Sequence, residues 1–252
     1  MSKTSPRQKL SEAGKSSSLL TAAVCLLISA LSLLVSASAE TIEFYKSADP
    51  AFANVFCFSV NIIYNLVSFI PASALFVFIK ESKENFLTLN SFKLLKIGII
   101  ASLGCSVPLA AATFILMYKD TSASLETSAF PGYVFVHAAI LFVTFVLAVC
   151  IVISVIFLKT VKNLRLAAVA DMFNKNGLML TAVLLLITAA LLLPKLLTAI
   201  SSSPFEWSGV AFATLGVNNL FISLTGFASA LLKAVAYALL AVNIIKYRTS
   251  NK

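Results

Sequence analysis

The chain has 252 residues, 60% of them apolar and only 12% charged, with a mean hydropathy of +0.98. A soluble domain carries about 25% charged and about 45–50% apolar residues, so these proportions exclude a water-facing surface and leave lipid as the solvent for most of the chain. The net charge of +9 implies attraction to anionic headgroups rather than to nucleic acid, because the cations sit in short segments that flank apolar runs.

Residues 1–17 are a basic, Ser-rich arm with Lys3, Arg7, Lys9 and Lys15. Pro6 limits any helix to the later part of this arm, and a mobile or interfacial segment is expected. Six long apolar runs follow, at 18–39, 52–79, 94–117, 133–158, 178–197 and 219–245. Each has roughly 20 residues or more, enough to cross a hydrocarbon core about 30 Å thick at about 1.5 Å per residue. Backbone in lipid must satisfy its own hydrogen bonds, so the runs predict helices. A membrane β-barrel would alternate apolar and polar residues, and the unbroken run from Ala182 to Leu193 does not. The expectation is an all-α, polytopic bundle forming a single transmembrane domain over 18–248. The first run, which ends in Ala37, Ser38 and Ala39 before Glu40, also has the features of a cleavable signal peptide. Its length favours a retained span.

The second run is unusually polar. Asn54, Asn61, Asn65 and Ser68 recur at steps of seven, four and three, which places them on one helical stripe beside Tyr64. That stripe serves either as glue between helices, with a bend at Pro71, or as the lining of a wet face. The connection after it, 80–96, mixes Lys80, Lys83, Lys93 and Lys96 with Phe86, Leu87, Leu89 and Phe92. It reads as a solvated loop, or as a short helix lying along the headgroups. In the third run Gly98, Ser102 and Ser106 at intervals of four, then Pro108, signal close helix packing. His137, the sole histidine, falls about a turn inside the outer end of the fourth run and is expected to be an interfacial hydrogen-bonding residue. Cys25, Cys57, Cys105 and Cys150 lie on different runs without CxxC spacing, so neither a disulfide framework nor a metal site is expected. Between the fifth and sixth runs, 201–218 holds Trp207 and a further apolar stretch, too long and too apolar for a turn. An interfacial or re-entrant segment is expected there.

The sixth run contains Lys233, with no other charge between Asn219 and Lys246. Burying an ammonium near the bilayer midplane costs at least about 2.5–3.5 kcal/mol, and at about 1.5 Å per residue it lies roughly 20 Å from either helix end, too far for a full snorkel. Gly226, Ser229, Lys233 and Tyr237 share a stripe beside the small residues Ala230, Ala234 and Ala238, so this face is expected to point inward. Tyr64, Asn65, Ser102 and Thr188 fall at a similar depth and, with Asn61 of the polar stripe, join Ser229, Lys233 and Tyr237 as the candidate polar site. No Asp or Glu lies within a run to pair with Lys233. The amine is held neutral, is ringed by amide, hydroxyl and carbonyl acceptors, or meets an anionic ligand or headgroup. A retinal Schiff base would need a counterion carboxylate, and none is visible. No HExxH, G-x-S-x-G or P-loop motif is present, so neither an enzyme nor a cofactor is expected.

Charge orients the bundle. The arm, the 80–96 connection, the 159–175 connection and the tail from Lys246 hold 15 of the 19 Lys and Arg residues. The positive-inside rule then places both termini in the cytoplasm of a cell-membrane protein. Six spans with inward termini, a basic arm, an inner loop and an outer re-entrant segment resemble the export permeases of ABC transporters in architecture. That resemblance implies a transport subunit handling an anionic or amphiphilic ligand, with a separate ATPase as partner. The alternative is a non-transporting assembly subunit whose polar stripes are interfaces to a partner subunit or to a second copy.

Overall fold

The computed structural model describes residues 5–47, 52–84, 90–125, 132–201 and 217–251. They fold into α1 (Pro6–Gly14), α2 (Ser17–Ser47), α3 (Phe52–Val67), α4 (Phe69–Lys83), α5 (Asn90–Leu125), α6 (Gly132–Ala170), α7 (Leu178–Ser201) and α8 (Val217–Ser250). Among the described residues there is no strand. Five stretches are long and apolar enough to cross a membrane: Ser17–Ser38, Ser59–Lys83, Asn90–Pro108, Ile140–Ala170 and Leu224–Ser250. The apolar part of α7, Leu178–Leu192, is shorter. The protein is thus a helical membrane bundle of about six spans. Large apolar side chains on its outside, such as Leu141, Phe145 and Leu191, are about two-thirds exposed or more, as a surface wetted by acyl chains requires.

The second span is built from two helices. Its ladder is interrupted at Ser68, whose N–H is shared between the carbonyls of Tyr64 and Asn65 and whose hydroxyl donates to the Asn65 carbonyl at 2.5 Å. Pro71 causes this, because it has no N–H to offer the carbonyl four residues back. The expected bend is therefore placed three residues before the proline. The 80–96 connection is mostly helical, since α4 runs to Lys83 and α5 starts at Asn90; residues 85–89 lie outside the described ones. So do residues 202–216 with Trp207, which carry most of the expected re-entrant segment.

The helices pack as a ring. α8 lies along both α7 and α2, α2 touches α3 and α4, α5 covers α3 and α4, and α6 packs on α5 with only sparse contact to α7. Small residues set the closest approaches. Ala22, Ala72 and Ala236 are fully buried at the α2–α4–α8 junction. Ser29 donates to the Ser229 carbonyl at 3.0 Å, and the two hydroxyls lie 2.9 Å apart.

The basic arm is where structure and expectation differ most. It is a capped helix packed under the bundle, and Pro6 starts it instead of delaying it. Ser5 and Gln8 form a reciprocal capping box with Pro6 in the first turn. The Asp171 carboxylate then accepts from the Arg7 N–H at 2.7 Å, where the helix dipole favours an anion. At the far end Gly14 packs so closely on α4 that a Cβ there would overlap the Ser82 hydroxyl. Ser11 donates to the Ser82 carbonyl at 3.2 Å, and Lys9 bonds the Ser250 carbonyl near the end of α8. Leu10, 4% exposed, joins Phe92, Val161, Leu178 and Tyr247 in an apolar cluster. These contacts bring the arm and the ends of α4, α6 and α8 to one pole of the bundle.

Asp171 has φ of 53°, a conformation glycine adopts without cost. Asp171→Gly therefore removes the anionic cap without adding strain. It should weaken α1 docking by about 1 kcal/mol, read as about fivefold faster hydrogen exchange of the α1 amides. Unchanged exchange would show that the cap does not hold the arm.

Candidate functional site

The ring lines a cavity of about 520 Å³, within the range of about 300–1,000 Å³ typical of small-molecule sites. It begins under α1, at Leu10 and Ala13, and runs to Ser29 and Leu33 of α2, Tyr64 of α3, Ser106 of α5, Cys150 of α6, Thr188 of α7 and Lys233 of α8. Along α8 the lining extends from Tyr247 to Lys233, about 21 Å at about 1.5 Å per residue. Lys233 is the only charged residue among the described lining, and no carboxylate is present there.

Five of the eight residues expected from sequence meet at this cavity: Lys233, Tyr237, Tyr64, Ser102 and Thr188. The Lys233 ammonium lies near the Tyr64 hydroxyl, as do Tyr237, Cys105 and Cys150. Lys233 is half-buried, shielded from lipid by its own bundle. This matches the inward face inferred from the small-residue ridge.

The other three residues are placed elsewhere. Ser229, 2% exposed, is occupied by Ser29 at the α2–α8 contact. Asn65 is 5% exposed and donates its amide to the Asn61 side chain at 3.3 Å; neither residue lines the cavity. Depth and stripe position put these groups on the protein-facing side. They do not distinguish a helix contact from a cavity wall, and here the local amide pair wins. The Asn54 and Cys57 side chains lie outside the described ones. His137 is exposed on α6, apart from the site. Cys25, Cys105 and Cys150 are free thiols, and no metal-ligand cluster occurs among the described residues.

Sequence reasoning missed Ser29, Ser154 and Asn243 in the lining. For Ser154 the signal was available: it is the one hydroxyl in the otherwise apolar stretch 145–158 and lies one turn after Cys150. Asn243 accepts from Ser16 at 3.1 Å and Ser18 at 3.0 Å, contacts more than 220 positions apart that no local pattern encodes.

Compared with known proteins, the chain matches no family model, no curated protein and no solved structure.

Proposed function

We propose that this protein is a cell-membrane subunit of a transport or export system that binds or moves an anionic or amphiphilic ligand through its central cavity. The observation that carries the reading is Lys233, the one charged residue in a described lining that offers it no carboxylate. A cation taken out of water stays stable only with compensating partners, and an anionic guest provides one. The cation-rich pole faces the cytoplasm and its anionic lipids, and energy, where needed, comes from a separate ATPase subunit.

A second reading, an assembly subunit without transport, draws support from Ser29–Ser229 and Asn61–Asn65, where polar residues in the spans serve helix contacts. The two readings separate in membrane vesicles from cells producing the protein, with dodecanoylaminofluorescein as the anionic amphiphilic probe. Lys233→Met should slow probe movement about tenfold or more, since a hydrogen-bonded charge pair contributes about 1.5–3 kcal/mol. Asn65→Leu should leave movement largely intact. If both variants move the probe normally yet fall out of detergent-stable complexes, the transport reading is wrong and the assembly reading stands.

A further inference from the structure

We infer that the cavity is built for one long-chain carboxylate, an amphiphile of the fatty-acid class, with its head at Lys233 and its chain lying along α8 toward α1. This rests on the proposed anionic site and names what fills it.

The polar groups of the lining fall into two sets. Near α1 they are largely consumed by the protein itself. The Thr160 and Thr181 hydroxyls lie 2.6 Å apart, Ser91 donates to Glu81 at 2.8 Å, and the Asn243 amide donates to the Leu239 carbonyl at 2.8 Å. The Tyr247 hydroxyl, also in the lining there, is buried without a hydrogen-bond partner. At the deep end Ser29, Ser68, Ser106 and Thr188 are likewise engaged by the protein, and what sets that end apart is its charge. Among the described residues no hydrogen bond engages the Lys233 ammonium, the Tyr64 and Tyr237 hydroxyls or the Ser102 hydroxyl, and all four line the cavity. These donors stand at the cavity surface, free to give hydrogen bonds to whatever enters it. A carboxylate is acceptor-only, with room for several donors, and its charge suits the single ammonium.

The wall between the two ends is apolar, formed by Leu26, Leu75, Leu95, Phe157, Leu185 and Leu240. A small inorganic anion would engage the deep donors and leave this wall unsatisfied. A neutral amphiphile would cover the wall and leave the ammonium without a counterion. The slot's length of about 21 Å exceeds one leaflet of a hydrocarbon core about 30 Å thick, so a membrane-length acyl chain fits extended. One cation calls for one anionic head, and Leu10 and Ala13 of α1 stand at the far end of the lining.

Specificity then lies in the head. A chain moving from lipid or detergent into the slot exchanges one apolar surrounding for another, so carboxylate recognition has to distinguish guests. The test is native mass spectrometry of the full chain in non-ionic detergent, with palmitate, hexadecanol, benzoate and dipalmitoylphosphatidylglycerol as probes. Palmitate should be retained as a single adduct about tenfold or more over hexadecanol. Lys233→Met should erase that preference and Lys233→Arg should keep part of it. Leu95→Trp, which narrows the slot part-way along, should reject palmitate and still accept octanoate. Lys233-dependent binding of benzoate with no advantage for palmitate overturns the chain assignment and leaves the anionic-site reading intact. Preferential retention of the diacyl lipid overturns the single-chain assignment alone. Binding of every probe independently of Lys233 removes both readings.

Discussion

Ala236→Leu should be the most damaging single substitution in the bundle. Ala236 has no exposed surface and sits against Ala22, Cys25 and Ala72, where α8, α2 and α4 approach most closely. The added branched carbons have no void to enter, so the helices must separate. Overpacking a well-filled interior costs about 1–3 kcal/mol, and for a chain of this length each kcal/mol corresponds to about 2–4 °C in Tm. The α2–α8 seam also carries the Ser29–Ser229 hydrogen bonds, so parting it exposes polar groups to hydrocarbon and adds to the loss. Thermal unfolding in detergent, followed by size-exclusion chromatography, reads the effect directly. Val235→Leu, one residue away at a position 41% exposed, is the matched control and should leave Tm unchanged. Equal behaviour of the two variants would mean that α8 does not pack with the face described.

Gly14→Val should detach α1 while leaving the spans folded. Any side chain at position 14 collides with Ser82 and approaches the Phe78 ring, and Ser82 is itself fully buried, so α4 cannot yield. The helix is short and has little stability of its own; docking holds it in place. Cysteine accessibility measures the change. In a background with the four native cysteines replaced, Leu10→Cys should label slowly, because residue 10 is 4% exposed. Adding Gly14→Val should raise the labelling rate about tenfold or more, and Gly14→Ala should give an intermediate rate. Slow labelling in the valine variant would show that the arm is held by its other contacts, Leu10, Ser11 and the Asp171 cap.

The spans were legible in the sequence because bilayer thickness forces runs of about 20 apolar residues, whatever packs around them. That α1 from near the start of the chain and Ser250 from near its end meet at one pole follows from an even number of crossings. Depth was legible too. Rise per residue brought Tyr64, Ser102 and Thr188 to the level of Lys233, the helical stripe added Tyr237, and all five line the cavity. Periodicity could not tell a wall from a seam, and for that reason Ser229, Asn61 and Asn65 were placed at the site when their hydrogen bonds lie within the helix framework. The docked arm was out of reach for a different reason. Its key contact joins residues 164 positions apart, through a carboxylate placed by a backbone turn with positive φ, and composition alone makes the same segment look like a solvated tail.

The link between α6 and α7 has a mechanical consequence. Among the described residues, the side-chain hydrogen bonds that tie these helices and their connection together lie next to the turn: Thr160 with Thr181, and Asn163 with the Asn176 carbonyl at 2.6 Å. Elsewhere the two helices touch only sparsely. Such a pair behaves like a clothes-peg, pinned at the pole where α1 docks and free to splay at its other end. Separation of the two helices would widen one side of the cavity while the contacts that dock α1 stay in place.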